Sequence, residues 1–203
     1  PLTSISGNAN NLLYNESCLD AQMRRQIYGD IYDDSMWLID LVENLLSVTR
    51  IEEGRMQIRQ SAELVDEVIR EALKHTGQSR TGRTIKVEEE DELILAKMDA
   101  RLIVQVLINL IGNAVKYTPQ GTDITVRVRK EKAENSQVII SVCDLGDGIP
   151  DDRKERVFDM FYTGSDQVAD SRRSLGLGLG LCRSIINAHG GKIWISDNIP
   201  HGA

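Results

Sequence analysis

Residues 100–119 read ARLIVQVLINLIGNAVKYTP and carry the strongest structural signal in the chain. Apolar residues recur there at the spacing of one helix face, which predicts an α-helix from Ala100 to Tyr117. The apolar positions are Ile103, Val106, Leu107 and Leu110. A helix with one apolar face is expected to pack against a larger core, so the rest of the chain must supply that core.

The opposite face of this predicted helix is polar in an unusual way. It carries Gln105, Asn109, Asn113 and Lys116, at spacings of four, four and three. A solvated face normally holds Glu, Lys and Arg, whereas asparagine is a poor helix former in mid-helix. Asparagine offers a neutral carbonyl oxygen to a hard cation, and a lysine one turn further can meet phosphate oxygens. This face therefore predicts a site for a magnesium-bound nucleotide, with an ordinary solvated surface as the alternative.

Two glycine-bearing segments further along the chain fit the same ligand. DLGDGIP, from Asp144 to Pro150, closes a predicted strand, and its aspartate carboxylate can accept a hydrogen bond from an exocyclic amine. GLGLGL, from Gly176 to Leu181, opens a predicted helix, where bare backbone amides form an anion site. Alone, the first is equally a strand-ending turn and the second a flexible hinge. The polar stretch Tyr162 to Ser174 has the length of a binding loop, from which Arg172 or Arg173 could reach a triphosphate.

The chain before Gly54 has a different pattern. Ala21 to Glu53 contains no proline, and its apolar residues alternate at spacings of four and three, which is typical of a coiled-coil seam. The seam consists of Ile27, Ile31, Leu38, Leu41, Leu45 and Val48, with a gap at Asp34. Asp20 is the candidate N-cap, and Leu2 to Tyr14 is expected to form the other arm of an antiparallel hairpin. Such a hairpin favours a four-helix bundle with a second copy, and a monomeric hairpin that leans on the larger domain is the alternative.

The remaining elements mix strands and helices, which predicts an α+β fold in which the hairpin precedes a two-layer α/β sandwich. The predicted domains are residues 1–53 and 54–203. Predicted strands are Met56 to Arg59, Thr84 to Glu88, Ile94 to Lys97, Ile124 to Lys132, Val138 to Asp144 and Lys192 to Asp197. Further predicted helices are Leu64 to Lys74, Asp151 to Val157 and Gly178 to His189. The strands that flank the polar residues 131–137 have a hairpin signature, which fits an antiparallel or mixed sheet.

Composition excludes several classes of function. The 31 acidic and 24 basic residues give a net charge of −7, which opposes binding to nucleic acid or to an anionic membrane surface. Cys18, Cys143 and Cys182 are too scattered for a metal site, so free thiols in a reducing compartment are expected. No apolar run approaches the roughly 18 residues of a membrane span, and the first residues resemble no signal peptide.

The order of these motifs resembles that of the sensor histidine kinases and, through them, the GHKL ATPase superfamily with its Bergerat ATP-binding fold. NLIGNAVKYTP (Asn109 to Pro119) is similar to the N box, DLGDGIP to the G1 box, FDMF (Phe158 to Phe161) to the F box, and GLGLGL to the G2 box. LVENLLSVTRIEEG (Leu41 to Gly54) resembles the end of the second helix of the dimerisation hairpin. AHGGKI and SDNIPHGA resemble the potassium-responsive KdpD-like kinases.

The resemblance implies roles for individual residues. Asp144 would hold the adenine amino group, Asn113 with Asn109 would hold Mg, and Lys116 with Tyr117 would face the phosphates and ribose. The implied ATP-binding set is completed by Gly146, Gly148, Ile149, Phe161, Arg172, Arg173, Gly176, Leu177, Gly178, Leu179, Gly180 and Leu181. Hydrolysing relatives carry a glutamate at the position of Asn109, and asparagine has no comparable basicity. Many relatives also place an arginine where this chain has Thr163, which leaves Arg172 and Arg173 as the cationic lid residues.

The resemblance also implies a catalytic cycle whose acceptor lies outside these residues. The phosphoacceptor histidine is expected about five residues before Pro1, so no catalytic residue is assigned within the chain, and the final strand is expected to continue past Ala203. His75, His189 and His201 are interpreted as structural or surface groups, with His201 in a frayed tail.

The predicted function is an ATP- and Mg-dependent protein-histidine kinase core of a two-component system. It would act as a homodimer, with a response-regulator receiver domain as partner. It would form the cytoplasmic part of an inner-membrane-anchored bacterial protein and make no direct membrane contact itself. The alternatives are a GHKL-type ATP hydrolase, which Asn109 argues against, and a non-catalytic dimerising nucleotide-binding module, which the intact boxes argue against.

Overall fold

The structure, a computed structural model, describes residues 2–15, 18–52, 58–76, 84–90, 93–131, 137–163, 176–199 and 201–203. These residues belong to two units, Pro1–Arg50 and Ile51–Ala203. The division lies close to the change in sequence pattern near Gly54, and the predicted domain boundary stays a prediction. Within the described ranges, no helix is both long enough and apolar enough to cross a membrane.

Two helices form the first unit, as the sequence predicts. Helix α1 spans Leu2–Asn15 and helix α2 spans Ala21–Glu52. Asp20 caps α2, because its Oδ1 accepts a hydrogen bond from the Met23 amide at 2.7 Å. The cap confirms the predicted start of this helix.

The predicted seam of α2 is half-buried over only part of its length. Its first four apolar residues are half-buried, and so is Asp34 in the gap between them. Leu45 is 46% exposed in the single chain, so the seam stays a prediction at that position, and the side chain of Val48 lies outside the described residues. A second apolar stripe of the same helix is exposed, and it consists of Tyr28, Tyr32, Met36, Ile39, Val42 and Leu46. We call it the exposed α2 stripe.

The second unit mixes five strands and four helices within its described residues. The strands are β1 (Ser61–Leu64), β2 (Ile85–Glu89), β3 (Leu95–Met98), β4 (Ile124–Glu131) and β5 (Gln137–Cys143). The helices are α3 (Val65–His75), α4 (Ala100–Tyr117), the single turn α5 (Asp151–Lys154) and α6 (Gly178–Ala188), with a 3₁₀ turn at Arg156–Phe158. Helix α4 has the predicted bounds.

A mixed three-stranded sheet forms one layer of this unit, in the order β2-β4-β5. β2 is parallel to β4, and β4 is antiparallel to β5, with Thr125 opposite Cys143. Alternate residues of β4, Ile124, Val126 and Val128, are buried, as expected for a strand with one face on the core. Helix α4 covers that core with its own buried face and packs against α3 and α6. The predicted α+β class and two-layer sandwich are confirmed.

Three predicted elements differ from the structure. The first strand is Ser61–Leu64, because it pairs antiparallel with β3, and Ile58 and Arg59 of the predicted strand carry no strand. The rest of that prediction, residues 56 and 57, lies outside the described ranges. Lys192 to Asp197 forms no strand, because no described segment provides a hydrogen-bonding ladder beside it. The predicted helix Asp151 to Val157 divides into α5 and the 3₁₀ turn.

Candidate nucleotide-binding site

Helix α4 presents the polar face that the sequence predicts. Its N-cap is Asp99, which is 8% exposed and accepts a hydrogen bond at Oδ1 from the Leu102 amide at 3.4 Å. Gln105, Asn109 and Asn113 are half-buried, although they lie on the face opposite the core residues of the helix. An ordinary solvated face would leave such side chains exposed, so this face is partly covered by neighbouring segments.

Asn109 lies against the start of helix α6. A Cβ atom added at Gly178 would lie 3.8 Å from the Cγ of Asn109, so the glycine segment approaches this side chain closely. The Nδ2 atom of Asn109 is buried and makes no hydrogen bond to any described residue. A buried donor without a partner costs about 1–3 kcal/mol, so this amide marks a place where a polar ligand atom would be favourable.

Cys182 is the polar neighbour of the Asn109 amide on the inner side. The thiol is fully buried, its Sγ lies 3.8 Å from the carbonyl oxygen of Val106, and burial raises its pKa to about 12. The Asn109 amide opposes that rise only in part, since its contact with sulfur lacks the geometry of an ordinary hydrogen bond. The thiol is therefore a neutral packing group and not a nucleophile.

Asp144 is held at the end of β5 by backbone groups. Its Oδ1 accepts hydrogen bonds from the amides of Gly146 at 2.8 Å and Ala203 at 3.4 Å. Its own carbonyl oxygen accepts from the Nδ2 of Asn198 at 2.7 Å, and its amide donates to the carbonyl of Ala203 at 2.9 Å. The second carboxylate oxygen, Oδ2, accepts no hydrogen bond from the described residues. The carboxylate is thus oriented while one oxygen is left for a ligand.

The glycine turn after β5 packs against the end of α4. A Cβ atom at Gly146 would come within 2.7 Å of the carbonyl oxygen of Tyr117, so only glycine fits there. The exposed Lys116 lies beside the Tyr117 ring, with its Nζ 3.2 Å from the hydroxyl. Helix α4 therefore contacts the G2-like segment at Asn109 and the G1-like turn at Tyr117, about 12 Å apart along the helix axis, with Asn113 between them.

The F-box-like segment joins the same assembly. Phe158 is buried, whereas Phe161 is 64% exposed and has a positive φ of 65°, a strained conformation for a residue with a side chain. The Phe161 amide donates to the carbonyl of Gly176 at 3.0 Å, and Gly176 has a φ of 64°. A side chain at Gly176 would collide with the carbonyl oxygen of Tyr162, so glycine is required at this junction.

The glycine segment Gly176 to Leu181 packs into the core on one side and faces Asn109 on the other. Helix α6 begins at Gly178, and the amide of Leu181 donates to the carbonyl of Leu177, so that amide is already used. Leu177 and Leu181 are buried in the core, and Gly180 packs against the carbonyl oxygen of Phe158. The side facing Asn109 is formed by Gly178.

The remaining predicted site residues fall into two groups, those that the structure describes and those outside the described ranges. Gly148 has a φ of 73° and lies beside Gly202, while Ile149 and Leu179 are half-buried. Arg172, Arg173 and nearly all of the predicted loop Tyr162 to Ser174 lie outside the described residues.

All three histidines contact other groups. The Nε2 of the exposed His75 lies 3.5 Å from the Oε1 of Glu71 in its own helix. His189 joins the end of α6 to Asp99, as expected of a structural group. His201 does not lie in a frayed tail, because its Nδ1 is 3.2 Å from the carbonyl oxygen of Gly146.

The sequence motifs assign no role to Asn198 and Gly202. Asn198 donates a hydrogen bond to the carbonyl oxygen of Asp144, and Gly202 packs closely against the Asp144 backbone. The sequence signal for these two residues was that glycine and asparagine after a predicted strand are typical of a turn.

The donor set fits a magnesium-bound nucleotide. Among the described residues, no group of three or more His, Cys, Asp or Glu side chains could hold a metal ion. Magnesium in nucleotide sites is usually held by one or two protein oxygens together with phosphates and water, so one or two asparagine carbonyls suffice. The unpartnered amide of Asn109 and the glycine beside it fit a ligand with many acceptor oxygens.

Known proteins resemble this chain in sequence and in fold. A family model described as "Histidine kinase-, DNA gyrase B-, and HSP90-like ATPase" matches residues 98–203. The sensor protein KdpD of Clostridium acetobutylicum is 41% identical over 193 residues, covering 95% of this chain and 21% of that relative's length. The histidine kinase ThkA in complex with response regulator protein TrrA has a TM-score of 0.66 at 25% identity, covering 98% of this chain and 55% of that one. Full-length ShkA in complex with AMPPNP shares the fold, with a TM-score of 0.71 at 21% identity over 90% of this chain and 37% of that one.

Proposed function

Since the chain belongs to the family of histidine kinase-, DNA gyrase B- and HSP90-like ATPases, we propose that it is the ATP-binding core of a two-component sensor histidine kinase. The supporting observation is the position of α4, which contacts the glycine segment at Asn109 and the Asp144 turn at Tyr117. One helix thereby spans a candidate phosphate site and a candidate purine site. A single extended nucleotide could touch both.

Different residues of the site would then bind the base, the phosphates and the magnesium ion of ATP. The Oδ2 of Asp144 would accept from the exocyclic amine of adenine, because Oδ1 is already occupied by the Gly146 amide. Lys116 and the first amides of α6 would donate to phosphate oxygens. The carbonyl oxygens of Asn113 and Asn109 would hold the magnesium ion, which neutralises phosphate charge when bound. The strained Phe161 and Gly176 would fix the start and the end of the segment that carries Arg172 and Arg173.

The choice of a kinase over a hydrolase rests on Asn109. Activating a water molecule requires a general base, and the neutral amide of asparagine is not one. The inert thiol of Cys182 is the neighbouring group and cannot serve either. The site would therefore hold and orient ATP while the γ-phosphoryl group passes to a histidine nitrogen. The bond to the β-phosphate oxygen would break, and ADP would leave. In the whole protein that phosphate would continue to an aspartate of a receiver domain, as the pairing of ThkA with a response regulator suggests.

The exposed α2 stripe supports a homodimer. Its side chains are 40–58% exposed and follow one face of a long helix. A second copy that presented the same stripe would bury both and complete a four-helix bundle. The whole protein would act in the bacterial cytoplasm below a membrane anchor.

Calorimetry with a non-hydrolysable ATP analogue tests the nucleotide site. We expect magnesium-dependent binding in the micromolar to millimolar range usual for enzyme substrates, and much weaker binding of the matching GTP analogue, whose base lacks the 6-amino group. Asp144→Asn should weaken binding of the ATP analogue by about 10- to 100-fold, the effect of losing a charged hydrogen bond. Asp152→Asn is the control, because Asp152 is exposed on the single-turn helix α5. Absence of binding, or equal binding of both analogues to the unmutated protein, would show that the assignment is wrong.

A further inference from the structure

His189 makes a directed contact between helices α6 and α4. Its Nε2 accepts a hydrogen bond from the amide of Asp99 at 3.0 Å, and its Nδ1 lies 2.8 Å from the carbonyl oxygen of Ile185. An amide can only donate and a carbonyl can only accept, so both contacts require the neutral ring with its proton on Nδ1. The ring therefore ties the last turn of α6 to the residue that caps α4.

This tie belongs to a series of contacts that fixes how the two helices lie side by side. The contacts join Asp99 to His189, Val106 to Cys182, and Asn109 to Gly178. Residue numbers rise along α4 as they fall along α6, so the helices are antiparallel and in a single register. The Cys182 contact is a weak thiol hydrogen bond, and the Gly178 contact is a close approach without a donor. Of the three contacts, the His189 hydrogen bond has the strongest geometry.

The end of α6 is otherwise closed upon itself. Gly190, with a φ of 76°, donates to the carbonyl of Asn187, and Gly191 donates to the carbonyl of Ile186. These are the two hydrogen bonds of a Schellman motif, which satisfy the helix terminus without any help from α4. The hydrogen bond from Asp99 to His189 is therefore not needed to end the helix.

We propose that His189 is a positioning residue for the phosphate half of the nucleotide site. By fixing the end of α6 to the start of α4, it keeps Gly178 level with Asn109. A slip of one residue between the helices would move the glycine amides by about 1.5 Å, enough to misalign hydrogen bonds whose useful range is about 0.5 Å. This proposal rests on the proposed function.

The purine half should not respond to such a slip. Asp144 is held by Asn198, Gly146 and Ala203, and none of these contacts passes through α6. Loss of the His189 tie should therefore weaken ligands that carry phosphates and spare those that do not. A general loss of stability would instead weaken both kinds of ligand.

Two substitutions of His189 test whether its hydrogen bond to Asp99 positions the phosphate half of the site. His189→Asn retains a donor near the Nδ1 position but cannot reach Asp99, whereas His189→Gln places an acceptor at the Nε2 position. Titrations would use AMPPNP with magnesium, and adenosine, on the full chain. We expect His189→Asn to weaken AMPPNP binding about tenfold, or about 1.4 kcal/mol, with adenosine binding changed less than about twofold. His189→Gln should stay within about threefold of the unmutated protein for both ligands.

The outcomes distinguish this proposal from the one it rests on. If the unmutated protein binds neither ligand, the proposed function is wrong and this proposal fails with it. If the unmutated protein binds both, and His189→Asn either binds AMPPNP normally or loses both ligands equally, only the positioning role is overturned. Circular dichroism checks folding. Should His189→Asn not fold, His189→Gln decides alone, since a folded protein of that type with tenfold weaker AMPPNP binding would contradict the proposal.

Discussion

The two units treat apolar surface in opposite ways. In the second unit, Ile111, Val126 and Leu181 are 0% exposed, because a sheet and a layer of helices cover one another. In the first unit none of the described residues is buried, and Ile39 of α2 is 50% exposed. Two helices can shield only one stripe between them, so a second apolar stripe of α2 is exposed.

The second unit is stabilised by packing within the chain, whereas the stability of the first unit should depend on association. The core of the second unit is satisfied within the chain, so its unfolding should not depend on protein concentration. Under the proposed homodimer, the helices of the first unit would gain most of their burial when two copies meet, so their order should depend on concentration. Each prediction below compares one unit with the other.

The largest contrast is expected between two thiols. Cys18 of the first unit is exposed, whereas burial raises the pKa of Cys182 to about 12. At pH 8 only about one part in 10,000 of such a thiol is ionised, and the thiolate is the reactive form. Labelling with a thiol reagent followed by mass spectrometry should modify Cys18 at least about 1,000 times faster than Cys182. Similar rates for both would show that the core around Asn109 is open.

The next largest effect is expected from a cavity in the core. Ile111→Ala removes a fully buried side chain from α4 and should lower the free energy of unfolding by about 2–5 kcal/mol. Denaturant titration at two protein concentrations measures this loss, which should be the same at both. Ile39→Ala is the matched change in the first unit, and its effect should fall as the protein is diluted. A concentration-dependent loss for Ile111→Ala would contradict the division between the units.

Sequence reasoning succeeded where a segment carries its own signal. Helix α4 has the predicted bounds Ala100–Tyr117, because its apolar period is a local signal. Short strands have no such independence. β1 forms at Ser61–Leu64 because it pairs with β3, and Lys192 to Asp197 forms no strand without a neighbour. In both cases the deciding interaction is distant in sequence.

The candidate site shows the same limit. The residue types at Asn109, Asp144 and Gly178 could be chosen from motifs, because each motif is contiguous in sequence. The groups that hold these residues in place could not be predicted from motifs. His189 and Asp99 are 90 residues apart, and Asn198 reaches Asp144 across 54 residues. Only the folded arrangement shows that these polar side chains satisfy backbone groups and that the Asn109 amide has no hydrogen-bond partner among the described residues.

A smaller effect is expected when the exposed α2 stripe is charged. Ile39 is already half-exposed, so dimerisation should bury about half of its side chain in each copy, worth about 1.5–3 kcal/mol for the pair. Ile39→Glu should therefore weaken self-association by about 10- to 100-fold, or more through charge repulsion. Gln26→Glu adds the same charge on the opposite face and should have little effect. Light scattering over a dilution series measures both, and an unmutated protein that stays monomeric at high concentration would remove the basis for the homodimer.

The smallest effect concerns a carboxyl group at the end of β2, and it should be confined to the second unit. The Oε1 of Glu89 is buried without a partner among the described residues, and burial, reinforced by the nearby Asp66, raises the pKa of this carboxyl. A raised pKa in the folded state means that the charged form is disfavoured there, so stability is fully present at acidic pH and is lost as pH rises through the folded pKa. Glu89→Gln removes that charge and should stabilise the protein at pH 7 by less than about 1 kcal/mol, because the group is only partly buried. At pH 4, where the glutamate is largely protonated, the gain should vanish. Denaturant midpoints at both pH values test this, with the exposed Glu90→Gln as control, and a gain that persists at pH 4 would show that the stabilisation has another cause.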